Sequence, residues 1–393
     1  MNILVICQYY YPEPFRIHDL CEELVLRGHA VTVVTGEPNY PDGDIYQGYE
    51  NHQRADETLR GVRVHRCPII PRKHGAVRRF LNYYSYPAAS SRYVDQLPGD
   101  YDVVLVYQLS PVMMARAGVE YGKKHGVPVV MYCMDLWPES LIAGGIDRQS
   151  AVFRYFHSVS RKIYREMDQI LISSRQFKEY FQKEFEIDGE KIQYLPQYAE
   201  GIFACLEPKE WDGMCNLVFA GNIGTAQSMD TVLAAAELLI DEPVHFSIVG
   251  SGSELARLQQ LAEQMQLTKL TFCGRRPLEE MPAFYREADA MLVTLQADPV
   301  LSMTLPGKVQ SYMAVGKPII GAADGETADV IEDAGCGFCS AAEDGAALAE
   351  NILRFMHYPE KERLGKNARA YYEAHFRREQ FMDDLEQSLK EVK

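Results

Sequence analysis

Short apolar, β-forming runs alternate with amphipathic helical patterns along the whole chain, starting with residues 2–7, 15–27 and 30–35. Strands separated by helices cannot pair as hairpins; they align in parallel, and the helices cover both faces of the sheet. In the first helical stretch Ile17, Leu20, Cys21 and Leu24 recur at helical spacing, and Gly28 stands where a left-handed residue ends a helix. Further strands are expected at 62–67, 102–107, 128–133, 169–173 and 191–195. The alternation predicts an α/β fold on a doubly wound sheet.

The periodicity lapses between 196 and 211, and a second series then runs through 216–221, 244–250, 269–273 and 290–295. The 393 residues also exceed the ~250 to 300 at which a single core stops growing. Two Rossmann-like lobes are therefore expected, residues 1–196 and 212–375, with helices at 346–356, 360–375 and 380–392. Doubly wound folds bind ligands outside the carboxyl ends of their strands, so a cleft between the lobes is the expected active site.

The formal charge of −15 argues against nucleic acid as a partner, since phosphate binding needs a basic surface. The first residues lack the basic region and cleavage site of a signal peptide, which predicts a cytoplasmic location. No stretch approaches the ~20 apolar residues that cross a bilayer, so membrane contact would be peripheral. Nine cysteines, an odd number spread along the chain, read as reduced thiols. Cys336-Gly337-Phe338-Cys339 has no second ligand pair for zinc and does not open a helix as a redox motif does.

Residues 305–318, LPGKVQSYMAVGKP, read as a helix with Leu305 as N-cap and Pro306 in the first turn, closed by Gly316 and Pro318. Val309, Tyr312 and Met313 form its inward face. Gly307 and Lys308 fall in the first turn, where free backbone N–H groups and the macrodipole attract anions. Leu305 offers those amides no side-chain acceptor, so either a ligand oxygen or water fills the place. Gly221-Asn222-Ile223-Gly224 follows a strand, with Gln227 nearby; it reads equally as a phosphate turn or as an ordinary tight turn. Gly250-Ser251-Gly252 and Gly274-Arg275-Arg276-Pro277 make two more such turns. None completes a dinucleotide fingerprint or a Walker loop.

The order GNIG, VGSGSE, GRRP and LPGKVQSYMAVGKPII resembles the retaining glycosyltransferases of GT-B fold, glycosyltransferase family 4 type, over nearly the whole chain. Tyr11-Pro12-Glu13-Pro14, the 35–41 stretch TGEPNYP and Asp135-Leu136-Trp137-Pro138-Glu139 are similar to the capsule and exopolysaccharide subgroup of N-acetylfucosamine transferases. The resemblance implies a UDP-sugar substrate on the C-terminal lobe, retention of configuration, hexosyl transfer, and neither metal nor cofactor. It also implies a last helix, 376–393, that packs back on the N-terminal lobe. Lys308 would neutralise the leaving diphosphate, with Gly221, Asn222, Gly224, Gln227, Gly250, Gly252, Arg275, Pro306, Gly307 and Ser311 around the donor; Glu326, at the start of another helix, is either a further donor contact or an acid that the dipole favours without any ligand. Many relatives carry an arginine and a lysine where Asn222 and Gln227 stand, and glutamates where Met303 and Ser311 stand.

Asp135 follows a buried strand and is placed by the resemblance near the transferred sugar, although its residue type also caps turns. Glu13 and Arg16 fall where the first strand gives way to its helix, as acceptor-side groups or as solvated charges, and Glu139, just after the same buried strand as Asp135, reads as a cleft carboxylate. The 72–86 stretch mixes Arg72, Lys73, Arg78 and Arg79 with aromatics such as Phe80. It suits an anionic membrane surface at the inner face of the cell membrane, a groove that receives a diphosphate-linked lipid, or an ordinary core-facing helix. The leading expectation is sugar transfer to a lipid-linked or other saccharide acceptor in surface polysaccharide synthesis. Two alternatives remain at this stage, a nucleotide-sugar epimerase and a non-catalytic sugar-nucleotide-binding protein.

Overall fold

The computed structural model describes the chain except residues 41–42, 72–75, 143–144, 204, 208, 211 and 393, together with the side chains of 76, 77 and 79. It divides into two compact units. The first comprises residues 1–173, 177–195 and 382–393, and the second 174–176 and 196–381.

The first unit carries β1 (Asn2–Ile6), α1 (Ile17–Leu26), β2 (Ala30–Gly36), β3 (Asp56–Leu59), β4 (Val62–Cys67), α2 (Ala76–Val94), β5 (Val103–Gln108), α3 (Arg116–His125), β6 (Val129–Cys133), α4 (Ala151–Arg165), β7 (Gln169–Ile172), α5 (Phe177–Phe185) and β8 (Ile192–Tyr194). The sheet order is β3-β4-β2-β1-β5-β6-β7-β8, parallel except for β3. Ile3 to Ile6 and Val103 to Val106 are fully buried, as befits central strands covered on both faces. α1 buries Ile17, Leu20, Cys21 and Leu24, and Gly28 at φ 88° ends it as expected. The polar run of β3 gives no strand signal by itself; it forms because Arg60 and Gly61, both at positive φ, fold it back onto β4 as a hairpin.

The second unit carries β9 (Cys215–Ala220), α6 (Met229–Leu238), β10 (Val244–Val249), α7 (Leu255–Gln264), β11 (Leu270–Gly274), α8 (Met281–Glu287), β12 (Ala290–Thr294), α9 (Pro299–Ser302), α10 (Gly307–Ala314), β13 (Ile319–Ala322), α11 (Glu326–Ala334), β14 (Gly337–Ser340), α12 (Gly345–Met356) and α13 (Lys361–His375). Its parallel sheet runs β11-β10-β9-β12-β13-β14. Strand β9 feeds both cores: Leu217 and Phe219 pack with α6, α7 and α12, while Val218 and Ala220 pack with α8, α10 and α13. In α14 (Arg378–Glu391), Phe381 still belongs to the second unit, and the helix joins the first from Met382 onward. There Arg27 meets Asp383 at 2.6 Å and Glu386 at 3.2 Å.

All nine cysteines are free. Burial pushes the Cys336 thiol up to about 12 and that of Cys339 up to about 11, which keeps both protonated and unreactive at neutral pH. Among the described residues no cluster of three or more His, Cys, Asp or Glu side chains could hold a metal ion, and no helix is long and apolar enough to cross a membrane.

Candidate active site

In the second unit the strand order reverses between β9 and β12, the switch point at which doubly wound sheets bind ligands. The three glycine turns meet along this edge and are stitched by main-chain bonds. Gly221 N–H donates to Val249 O at 3.0 Å, Ile223 N–H to Ser251 O at 2.9 Å and Gly250 N–H to Gly274 O at 2.9 Å. A Cβ on Gly250, at φ 153°, would lie 1.8 Å from Gly221 O, and one on Gly252 would lie 2.2 Å from Ile223 O. Chain packing alone therefore accounts for these two glycines.

Helix α10 enters the same edge. Its N-cap is Pro306, at φ −63° and ψ 136°, rather than the expected Leu305, because proline's extended backbone delays the helix by one residue. Pro306 supplies no side-chain acceptor either, so the reasoning about orphan amides carries over. Tyr312 clamps the helix to the end of β9: its hydroxyl accepts from Ala220 N–H at 3.0 Å and lies 3.2 Å from Ala220 O.

Lys308 reaches beneath the Gly221 turn. Its ammonium donates to Gln227 Oε1 at 2.6 Å and lies 3.8 Å from the centre of the Phe219 ring, and a Cβ on Gly221 would come within 3.0 Å of it. Among the described residues no carboxylate pairs with it. Burial without a counter-charge lowers this lysine from its ordinary 10.5 to about 7. Gln227 is fixed in turn, its carbonyl accepting from Thr294 Oγ1 at the end of β12 at 2.5 Å. Asn222 is exposed on the turn, its amide packed over buried Gly224. Arg275 is exposed and has no partner among the described residues.

Two carboxylates define the next turns. Ser311 Oγ lies 3.2 Å from both Glu200 Oε2 and Gly307 O, so an acid from the 196–211 segment stands beside the serine. No local pattern marks Glu200; only the fold brings it to α10. Glu326 is 1% exposed and accepts from Arg175 Nε at 2.9 Å and Arg175 N at 3.3 Å, while Arg175 also pairs with Asp333. The Glu326 carboxylate is thus held by an arginine within the unit. Met303, which caps the end of α9, offers only its carbonyl, which accepts from Ser174 Oγ.

In the first unit the order reverses at β1 and β5. Asp135 follows β6 and accepts from Ser110 N–H at 3.1 Å; burial raises its carboxyl against that bond. Burial raises the Tyr107 phenol, with the Arg16 charge opposing that rise and Asp135 adding to it. Glu13 is buried and accepts three backbone N–H groups, from Tyr10 at 3.2 Å, Asn39 at 2.9 Å and Tyr40 at 2.8 Å. It clasps two loops, and burial pushes it up to about 7 despite those donors. Glu139 is buried too, accepting from Tyr180 at 3.0 Å and pairing with Arg148 at 3.3 Å. Both acids, Glu13 read from sequence as an acceptor-side group or a solvated charge and Glu139 as a cleft carboxylate, are enclosed in the fold. Arg72, Lys73 and the Arg79 side chain lie outside the described residues, while Arg78 and Phe80 are exposed.

Comparison with known proteins matches residues 15–197 to the glycosyl transferase 4-like domain and residues 213–371 to the glycosyl transferases group 1. The chain is 25% identical to the colanic acid biosynthesis glycosyl transferase WcaI of Escherichia coli (strain K12), over 98% of this chain and 100% of that one. It is 27% identical to the glycosyltransferase WbjE of Pseudomonas aeruginosa over 58% of this chain and 59% of that one. The sucrose-phosphate synthase of Thermosynechococcus elongatus shares the fold at TM-score 0.78 and 18% identity, covering 100% of this chain and 99% of that one. Anabaena HepE, solved with UDP and glucose, does so at TM-score 0.73 and 15% identity with both chains fully covered. With a 4-like domain followed by a group 1 domain, each on its own parallel sheet, this chain is a GT-B glycosyltransferase of the family 4-like kind.

Proposed function

We propose that the protein transfers a hexosyl unit, with retention of configuration and without metal, from a UDP-sugar to a lipid-linked saccharide in surface polysaccharide assembly. The observation that carries this reading is Lys308, which has no counter-charge among the described residues, at the first turn of α10 and at the sheet's switch point. A diphosphate bound there would meet the ammonium and the uncapped amides of Gly307 and Lys308, groups aimed at the charge that grows on the departing phosphate oxygen. Ser311 and Glu200 supply hydroxyl and carboxylate partners for donor hydroxyls one turn on. Asp135 orients the acceptor hydroxyl or faces the cationic sugar.

The colanic acid and UDP-bound relatives support the choice of donor class and of pathway. The test is turnover across a panel of UDP- and GDP-sugars with a saccharide lipid acceptor, with and without chelator. No transfer from any UDP-sugar would sink the reading, and an inverted anomeric product would remove the retaining part. A non-catalytic binder has one observation in its favour, the engagement of Glu326 by Arg175. UDP binding without turnover, unchanged in Asp135→Ala, would select it.

A further inference from the structure

Helix α2 packs on β2 and β4 and runs from their carboxyl ends towards their amino ends, stopping at Val94. Beyond its last turn the sheet face is polar. Thr32 of β2, Arg63 of β4 and Thr58 of β3 stand side by side across the ladder, and His65 and Asp56 pair on a neighbouring rung. In a parallel sheet covered on both faces such positions are expected to be apolar. Here they line a cavity of about 430 Å³, walled by Tyr93, Asp100 and Tyr101.

Part of this lining is fixed by the fold. His65 Nδ1 lies 2.7 Å from Asp56 Oδ1, and its ring stacks on Tyr93 at 3.4 Å. Tyr101 is buried against Tyr121 at 5.6 Å, and Glu57 pairs with the buried Arg66. The rest is uncommitted. Thr32 is 6% exposed, yet its hydroxyl has no hydrogen-bond partner among the described residues. A buried hydroxyl left so is costly, and one that lines a cavity is satisfied by whatever polar group fills it. The Arg63 guanidinium, the Tyr93 hydroxyl and the Asp100 carboxylate likewise make no hydrogen bond or ion pair among the described residues.

The chemistry of these groups selects a class of ligand. One arginine stands among the carboxylates of Asp56 and Asp100, so the cavity lacks the positive charge that holds a phosphate. Among the described residues no group of three His, Cys, Asp or Glu side chains could hold a metal ion. An uncharged molecule rich in hydroxyls fits: Arg63 donates, Asp100 accepts, and the hydroxyls of Thr32, Thr58 and Tyr93 do either. The tyrosine rings offer apolar area to its C–H surface. The volume lies within the range of small-molecule pockets.

We infer that this cavity is a second saccharide-binding site, at the edge of the sheet opposite Asp135, and that it holds a neutral sugar unit of the acceptor or product chain. A chain held there stays at high local concentration between transfers. The inference rests on the proposed function only in requiring a saccharide acceptor or product; it is independent of the donor and of the anomeric outcome.

The experiment is saturation-transfer NMR and titration calorimetry of the full chain with maltotetraose, chitotetraose and β-1,4-galactotetraose, beside inorganic phosphate and putrescine, with and without saturating UDP. At least one tetrasaccharide is expected to bind in the millimolar range or tighter, equally well with UDP present. Thr32→Val keeps the shape of the side chain and should weaken that binding about fivefold, and Arg63→Ala with Asp100→Ala, both exposed positions, at least about tenfold. Asp135→Ala should leave it unchanged. Wild-type melting curves and UDP affinity show that each variant is folded. No tetrasaccharide bound, displacement by UDP, or wild-type binding in both cavity variants overturns the inference. So does phosphate or putrescine bound in place of every saccharide, which would give the cavity to an anion or to an amine. Tetrasaccharide binding without transfer from any UDP-sugar would instead strike the proposed activity and leave the second site standing.

Discussion

Replacing Lys308 by methionine separates a residue kept for its charge from one kept for its packing. Folding encloses this ammonium with one amide oxygen and a ring face for company, and lowers it from 10.5 to about 7. At ~1.4 kcal/mol per tenfold, that drop sets a ceiling of roughly 5 kcal/mol on what the unliganded fold gives up to hold the lysine. The side chain is only partly hidden from solvent, which screens part of that penalty, so a gain of about 2 kcal/mol is expected on removing the charge.

The sign follows from proton counting. Between pH 7 and 10.5 the unfolded chain holds a proton on this lysine that the folded chain has released, so wild-type stability rises with pH across that window. The gain in Lys308→Met is therefore full below pH 7 and fades towards pH 10.5. Turnover should move the opposite way and fall by ~10²- to 10³-fold, as when one preorganised donor to a developing oxyanion is removed. UDP binding to the wild type should take up close to one proton above pH 7, read by calorimetry in buffers of different ionisation heat, and the variant should take up none. Unchanged turnover, or a stability difference that is the same at pH 6.5 and pH 9, would refute the reasoning.

Gly250→Ala forces a Cβ onto the Gly221 carbonyl at an unfavourable φ, and should lower the unfolding free energy by ~3 kcal/mol or more and weaken UDP binding; an unchanged melting curve would contradict the described turn. Tyr312→Phe removes the clamp between α10 and β9, at about 1–2 kcal/mol in denaturant melts, with a rise in the KM for donor larger than that for acceptor. Glu13→Ala strands three backbone N–H groups, so a loss of ~2 kcal/mol is expected, together with faster hydrogen exchange at Asn39 and Tyr40; exchange confined to wild-type rates would show that the clasp is idle. Because the folded Glu13 carboxyl is raised to about 7, its protonation favours the fold below the unfolded value near 4.5. That contribution fades as pH climbs through 7, and should be missing from the pH profile of the variant.

What the sequence displayed was periodicity and punctuation. The face Val309, Tyr312 and Met313 and the stop at Gly316 located α10 to within one residue, because helix spacing and proline or glycine geometry are local. The strand β3 escaped for the same reason: Asp56-Glu57-Thr58-Leu59 carries no apolar alternation, and only the hairpin at Arg60 and Gly61 pairs it. The site itself was half legible. Lys308 could be assigned to a helix start, but its burial, with no carboxylate beside it among the described residues, is a statement about all its neighbours in space, and that burial is what lowers it. Glu200 and Arg175 were silent because each acts across a long stretch of chain, 111 residues to Ser311 and 151 to Glu326. Their positions also show how a fold can differ from a motif. An acid missing from the helix at Ser311 is supplied beside it from another segment, and an acid present at Glu326 is engaged by an arginine, so the count of carboxylates along this edge of the second unit is set by tertiary contacts that no residue-by-residue comparison contains.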